Sequence, residues 1–276
     1  MRWAYVFKGD EEITLSRDGC HFLESEITNV ETKTKEQEMS GMDGVLVGSN
    51  TFGSFELTLN FFYEGVDKDD LMLFTEKMKS IIHAREPMYV VHSDMPGRKY
   101  AFNSAKIEWE KITPGDVTFS IVFNIFKGYS ESLKDTSDIT FLTDYWQFEN
   151  GVITDEDIKY KFYEKRFTVW NGSNDTIDPL MEHNLTIRIK GSGSSGFTIK
   201  NHHTGDIFQY FGSLVNYKTF EIKGVHPVID GNRVGHDTNY DWIRLQPGFN
   251  NIEIEGNGFT LDSVEFIFNF VYRYGG

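Results

Sequence analysis

The chain has 276 residues, with 27 Lys and Arg against 42 Asp and Glu, a net charge of −15. That length suffices for two domains, each burying its own core, and that charge argues against nucleic-acid binding, because phosphates would be repelled. Aromatics make up 15% of the residues, which favours sheets with wide apolar faces; no membrane span or N-terminal signal segment is expected, and the single Cys20 excludes an internal disulfide and suits a reducing compartment.

In chain order, residues 1–63 read as short strands around a polar excursion. Trp3, Tyr5 and Phe7 alternate with Ala4 and Val6, and Gly9-Asp10 marks a turn. Ile27 to Met42 is polar without a helical apolar stripe, which suits a long hairpin or an extended arm. Phe55, Leu57, Leu59 and Phe61 alternate with Glu56, Thr58 and Asn60, the pattern of a half-buried strand. The next segment predicts one amphipathic helix near 69–85. Leu71, Phe74, Met78, Ile81 and Ile82 form its apolar stripe. Asp67, Asp69 and Asp70 suit its start, Arg85 its last turn and Pro87 its stop. A strand, a Pro96-Gly97 turn and three further strands follow, with Val117, Phe119, Ile121, Phe123 and Ile125 on one face. Val122 and Phe126 imply a partly covered second face.

Residues 128–140 are small, polar and charged, as a linker would be. Beyond them only strands are expected. Leu185-Ile187-Ile189, Phe197-Ile199, Phe220-Ile222, Ile252-Ile254 and Val264-Phe266 share a two-residue period. Turn signals at Thr204-Gly205-Asp206, Asp230-Gly231-Asn232 and Gly256-Asn257-Gly258 separate them, which predicts a β-sandwich. The run GSGSSG at 191–196 reads as a loop. The fold class is therefore mainly β, in two domains: 1–132 with the helix, and a sandwich over 140–276.

Signatures of catalysis are absent from the sequence. There is no phosphate-binding glycine loop ending in Lys-Ser/Thr, no HExxH and no GxSxG. Cys20-His21 and His202-His203 are adjacent pairs, which face opposite ways on a strand and cannot act together. Glu253 and Glu255 lie about 7 Å apart on one strand face, a spacing of interest for glycoside hydrolysis, but their alternation with Ile252 and Ile254 predicts a solvated outer face. We therefore expect no enzyme, no catalytic residue, no cofactor and no metal. The aromatics of the second half, Tyr145, Trp146, Trp170, Tyr210, Tyr240 and Trp242, either fill the core or a subunit contact, or include a platform for stacking on sugar rings; Tyr240, Trp242 and Trp146 are the candidates for that platform.

The order of several short motifs resembles one family. Glu86-Pro87, Asp94-Met95-Pro96-Gly97-Arg98-Lys99-Tyr100 and the segment from Phe123 to Ser132 resemble the distal tail (Dit) proteins of long-tailed phages, or prophages, of Gram-positive bacteria. Gly41-Met42-Asp43-Gly44 is similar to that family's GxDG turn. Asn201, Thr204-Gly205-Asp206, Asp230-Gly231-Asn232 and the run from Leu245 to Ile252 resemble its C-terminal galectin-like sandwich; here the hairpin reads Asp-Gly-Asn, and an Asn intrudes before Ile252. The resemblance implies a viral structural protein. An N-terminal ring-forming, tail-tube-like domain over 1–132 would assemble as a homo-hexamer around the DNA channel, and a galectin-like, carbohydrate-binding-module-like sandwich over 140–276 would project outward. The implied partners are the major tail tube protein, a tail-associated lysin or fibre, and receptor-binding or baseplate proteins, with no membrane and no specific nucleic acid. The implied place is the virion tail tip, reached from the host cytoplasm during assembly. The other reading of the same residues is a carbohydrate-binding module protein for host cell-wall polysaccharide.

Overall fold

The computed structural model describes residues 2–138 and 158–273, apart from Asp10, Asp18, Met42, Pro114 and Asn216. The fold is mainly β, with one α-helix among the described residues. Two compact units divide it: Met1–Ser130 with Arg273–Gly276, and Glu131–Tyr272.

The first unit is an antiparallel sheet. Its strands are β1 (Ala4–Lys8), β2 (Glu11–Thr14), β3 (Cys20–Ile27), β4 (Thr32–Lys33), β5 (Glu36–Glu38), β6 (Val45–Val47), β7 (Thr51–Phe52), β8 (Phe55–Glu64), β9 (Met88–His92), β10 (Arg98–Lys111) and β11 (Asp116–Ile125), with α1 (Lys68–Ile82) between β8 and β9. Seven of these run side by side in the order β2-β1-β9-β10-β11-β8-β3. The β8 and β11 ladder sets the core: Phe61 lies opposite Phe119, Leu59 opposite Ile121 and Leu57 opposite Phe123, all six buried. Each such side chain contributes about 1.5–3 kcal/mol on burial.

β1 turns the opposite face inward from the one its size would suggest. Ala4 and Val6 are fully buried, whereas Trp3, Tyr5 and Phe7 stay half-exposed. The three rings form their own ladder outside, with Trp3 stacked on Tyr5 at 4.5 Å and Tyr5 edge-on to Phe7 at 5.6 Å.

α1 starts where the carboxylates placed it. Asp67 is the N-cap, accepting from the amides of Asp69 and Asp70 at 2.9 Å. Asp70 accepts from the Tyr63 hydroxyl at 2.8 Å, which ties the helix to β8. Leu71, Met78 and Ile82 are buried; Phe74 is half-buried and stacks on Tyr63 at 3.7 Å, edge-on to Trp109 and Phe119. The helix ends with its stripe at Ile82, short of the expected bound near 85. His83 leaves helical geometry at φ −92° and ψ 86°, so Arg85 lies beyond the last turn. Pro87 disfavours helical backbone in the residue before it, and the chain bends at Arg85 and Glu86 before β9.

The polar excursion is a hairpin. β4 pairs with β7 and β5 with β6, in two small two-stranded sheets separate from the main one. Gly41 and Gly44, with φ +86° each, bracket its tip and explain the GxDG pattern. Both faces are open to solvent, Met39, Val45, Leu46 and Val47 included.

The second unit begins with β12 (Ser130–Ser132), which straddles the division. It contains β13 (Lys161–Phe162), β14 (Arg166–Asn171), β15 (Leu185–Ser192), β16 (Phe197–Asn201), β17 (Ile207–Tyr210), β18 (Thr219–Lys223), β19 (His226–Ile229), β20 (Asn232–Arg233), β21 (Gly248–Glu255), β22 (Thr260–Phe268) and β23 (Val271–Tyr272). One sheet runs β13-β22-β15-β18-β19-β20 and a second runs β14-β21-β16-β17. Their inner faces meet through aromatics: Phe167 against Phe266, and Phe197, Phe208 and Tyr210 against Phe220. This is a β-sandwich.

Two segments depart from expectation. The polar stretch after residue 128 is packed: Ser132 accepts from the Phe270 amide at 2.9 Å, and Thr136 accepts from the Phe268 amide at 3.0 Å and donates to the Phe266 carbonyl at 2.7 Å. Its hydroxyls complete the backbone bonding of the last strands, which is why so polar a sequence is buried. The glycine-serine run is only partly a loop. Gly191 and Ser192 continue β15 past a bulge, where a Cβ on Gly191 would strike the Thr260 carbonyl at 2.4 Å.

Candidate functional site

A cleft of the sandwich brings exposed Tyr240 beside half-buried Trp242. It measures about 410 Å³ and is lined by Leu180, Val225, His226, Pro227, Arg233, Gly235, Thr238, Tyr240, Asp241 and Trp242. Of the three sugar-platform candidates, Tyr240 and Trp242 meet here, and Trp146 lies outside the described residues, as does Tyr145. Trp170 and Tyr210 belong to the core instead.

The loop that presents Tyr240 is clamped on both sides. Asn239 donates to the Ile207 carbonyl at 2.8 Å and accepts from the Gln209 amide at 3.0 Å, fixing the loop to β17. Buried Thr238 donates to the Gly235 carbonyl at 2.8 Å and accepts from the Tyr240 amide. After the loop Ile243 and Leu245 plunge into the core, both at most 1% exposed. Between these anchors Tyr240 adopts φ +61° and keeps 74% of its surface open. A bulky residue held left-handed is a backbone outlier that costs roughly 1–3 kcal/mol. Arg233, on the two-residue β20, and His226, at the start of β19, supply polar groups across the Asp230-Gly231 hairpin, whose φ values of +48° and +82° mark a tight mirror-image turn.

The outer face of the β14-β21-β16 sheet holds a second group. Glu253 accepts from the Arg166 guanidinium at 2.6 Å and contacts the His202 ring at 2.8 Å. His202 and Arg166 together hold its carboxyl below the usual range. Glu253 is only 8% exposed, which corrects the expectation of a solvated carboxylate: its two partners cover it. Glu255, its supposed companion, pairs with Lys200 at 2.6 Å. His202 and His203 lie in the turn after β16 rather than on a strand. No local motif announces this group, because Arg166 and His202 stand 87 and 51 positions from Glu253. Among the described residues no cluster of three His, Cys, Asp or Glu is placed to hold a metal ion. Cys20 is buried, and burial pushes its thiol up to about 12, which leaves it unreactive.

Several motif residues turn out to be structural bolts. Asp94, in the Pro-Gly turn, accepts from the Ser25 amide at 3.0 Å and its hydroxyl at 2.9 Å, joining the β9–β10 turn to β3. Asp206 binds the Arg244 guanidinium at 2.7 Å and its amide at 2.9 Å; burial works to raise its pKa, but these bonds outweigh it and the carboxyl titrates below its usual range. Asn250 is fully buried, bonded to Gln246 N and O, Gly248 O and Asn201, and so closes the loop ahead of β21.

Residues 8–125 match the family model described as the phage tail protein RIFT-related domain. Among solved structures, the chain is similar to the SPP1 Dit protein, a hub of the adsorption apparatus of Gram-positive-infecting phages, at 13% identity and a TM-score of 0.68, covering 97% of this chain and 99% of that one. Two structures of the phage P2 baseplate, activated with Ca and with Sr, match at 10% and 9% identity with TM-scores of 0.48 and 0.45, each covering 98% of both chains. No curated protein matches the chain in sequence. The first unit thus carries the match to a phage tail protein domain, and the chain as a whole has the fold of the SPP1 Dit protein.

Proposed function

We propose that this protein is the structural hub of a phage tail tip, a ring that links the tail tube to the adsorption apparatus at the virion's distal end. The match of residues 8–125 to a phage tail domain carries the reading. The first unit supplies surfaces that suit ring closure. The hairpin from β4 to β7 exposes Met39, Val45, Leu46 and Val47, and an isolated hairpin with an apolar tip is marginal unless a neighbour covers it. The half-exposed Trp3-Tyr5-Phe7 ladder offers a further contact, and β2 and β3 end the main sheet with edges that a neighbouring chain can pair. A heterologous contact of hairpin to neighbour that closes on itself makes a ring, and we take it to have six copies.

In this reading the role is assembly, not catalysis. Glu31, Glu36 and Glu38 stand exposed on the hairpin, and acids of this unit would line the channel so that passing DNA does not adhere. The galectin-like sandwich would face outward toward receptor-binding or baseplate partners, and one ring face would dock the tail-associated lysin or fibre. Replacing residues 32–52 with a short Gly-Ser turn tests the closure. Sedimentation should change from a closed oligomer to monomer while the circular dichroism of the rest persists. A hairpin-less chain that assembles as well as the intact one overturns it.

A further inference from the structure

We infer that the cleft beneath Tyr240 is a saccharide site that takes a neutral hexopyranose unit of a glycan. The inference is independent of the hub reading, since it uses only the geometry of the sandwich. Its first support is the conformation of Tyr240. A large ring at φ +61° and 74% exposed gains nothing from the core, yet the clamps of Asn239 and Thr238 hold it there. Strain of that kind, imposed by well-bonded neighbours on an exposed side chain, marks a binding group.

The second support is what surrounds the ring. Trp242 and Pro227 extend the apolar surface, while Arg233, His226 and Asp241 stand at the same cleft. A pyranose has the complementary make-up. The C–H groups of its flatter face carry partial positive charge and suit the negative face of an aromatic ring. Its ring-edge hydroxyls both donate and accept, so a carboxylate and a guanidinium can each hold neighbouring oxygens. The volume of about 410 Å³ falls within the roughly 300–1,000 Å³ of small-ligand sites, and the cleft is partly open to solvent, which suits a sugar within a longer glycan. A fully apolar ligand would offer no partner to the Arg233 guanidinium or to the carboxylate oxygen of Asp241 that Asn239 does not bind. An anionic chain would meet Asp241 and a protein of net charge −15.

The test uses the full chain and saturation-transfer NMR with methyl glycosides of glucose, galactose, N-acetylglucosamine and rhamnose at millimolar concentration. At least one glycoside should receive magnetisation through C–H protons of one ring face. Tyr240→Gly should weaken that glycoside at least about tenfold. Because glycine accepts the left-handed backbone, the same variant should melt at the same temperature or higher, so lost binding cannot be blamed on lost folding. Arg233→Ala should weaken binding in the same direction, and Tyr217→Ala, a ring 80% exposed and outside the cleft, should leave it unchanged. Transfer to none of the four, or equal binding by Tyr240→Gly and the native chain, overturns the assignment.

Discussion

His92 sits fully buried between Phe22 and Tyr100, with ring centroids 6.0 and 5.5 Å away and no hydrogen bond at either nitrogen. Burial lowers its pKa to about 4, against a smaller opposing pull from Asp94. The unfolded chain therefore takes up this proton near pH 6.5 and the folded one only near 4. Stability is full above about pH 6.5 and falls as pH drops through that window, by about 3 kcal/mol at its end. His92→Phe should fill the same space and remove this loss, so urea midpoints of variant and native chain should diverge from pH 6.5 to 4. Parallel pH profiles would contradict it. Asp206 acts in a lower window: its depressed carboxyl contributes stability above the ordinary carboxylate range, lost as pH falls through its folded value. Neither role is legible in the sequence, because His92 looks like any polar residue in an apolar strand until Phe22 and Tyr100 close over it.

At the scale of elements, α1 gives the sharpest test. Met78→Ala should cost roughly 2–5 kcal/mol and Phe74→Ala a value near the lower end, since Phe74 is half-buried against Tyr63. Glu76→Ala, on the exposed face, should stay within about 0.5 kcal/mol. Denaturant melts that show equal losses for all three would refute the buried face. This helix, β8 and β11 were readable because each has one wet face and one dry face, and periodicity reports that contrast. β1 was not, because both of its faces are apolar and alternation cannot say which turns inward; the small residues Ala4 and Val6 fit under the sheet, and the rings went out. The hairpin from β4 to β7 was ambiguous for the opposite reason: neither face meets a core within the chain, so Val45, Leu46 and Val47 run together without alternation. Half of the cleft, Tyr240 and Trp242, was visible as aromatics in a strand-rich segment. Its polar half, from β19, β20 and the following loop, comes together only once Asp230 and Gly231 make their turn.

At the scale of the whole molecule, the two units predict separable behaviour. A chain of residues 131–272 should unfold cooperatively alone, because Ser132 and Thr136 complete its own backbone bonding; a chain beginning at residue 140 loses those bonds and should be less stable by about 2 kcal/mol or more. Thermal melts of the two pieces check this, and equal stability would contradict it. An acidic assembly should also fail to retain duplex DNA even at low salt, and retention on a DNA column at physiological salt would remove the proposed repelling channel. Single-particle imaging of the full chain in solution tests the proposed ring assembly. We expect closed rings of six copies with each hairpin lying on its neighbour's first unit. Monomers at every concentration, with and without tail tube protein, or open filaments, would rule out ring assembly.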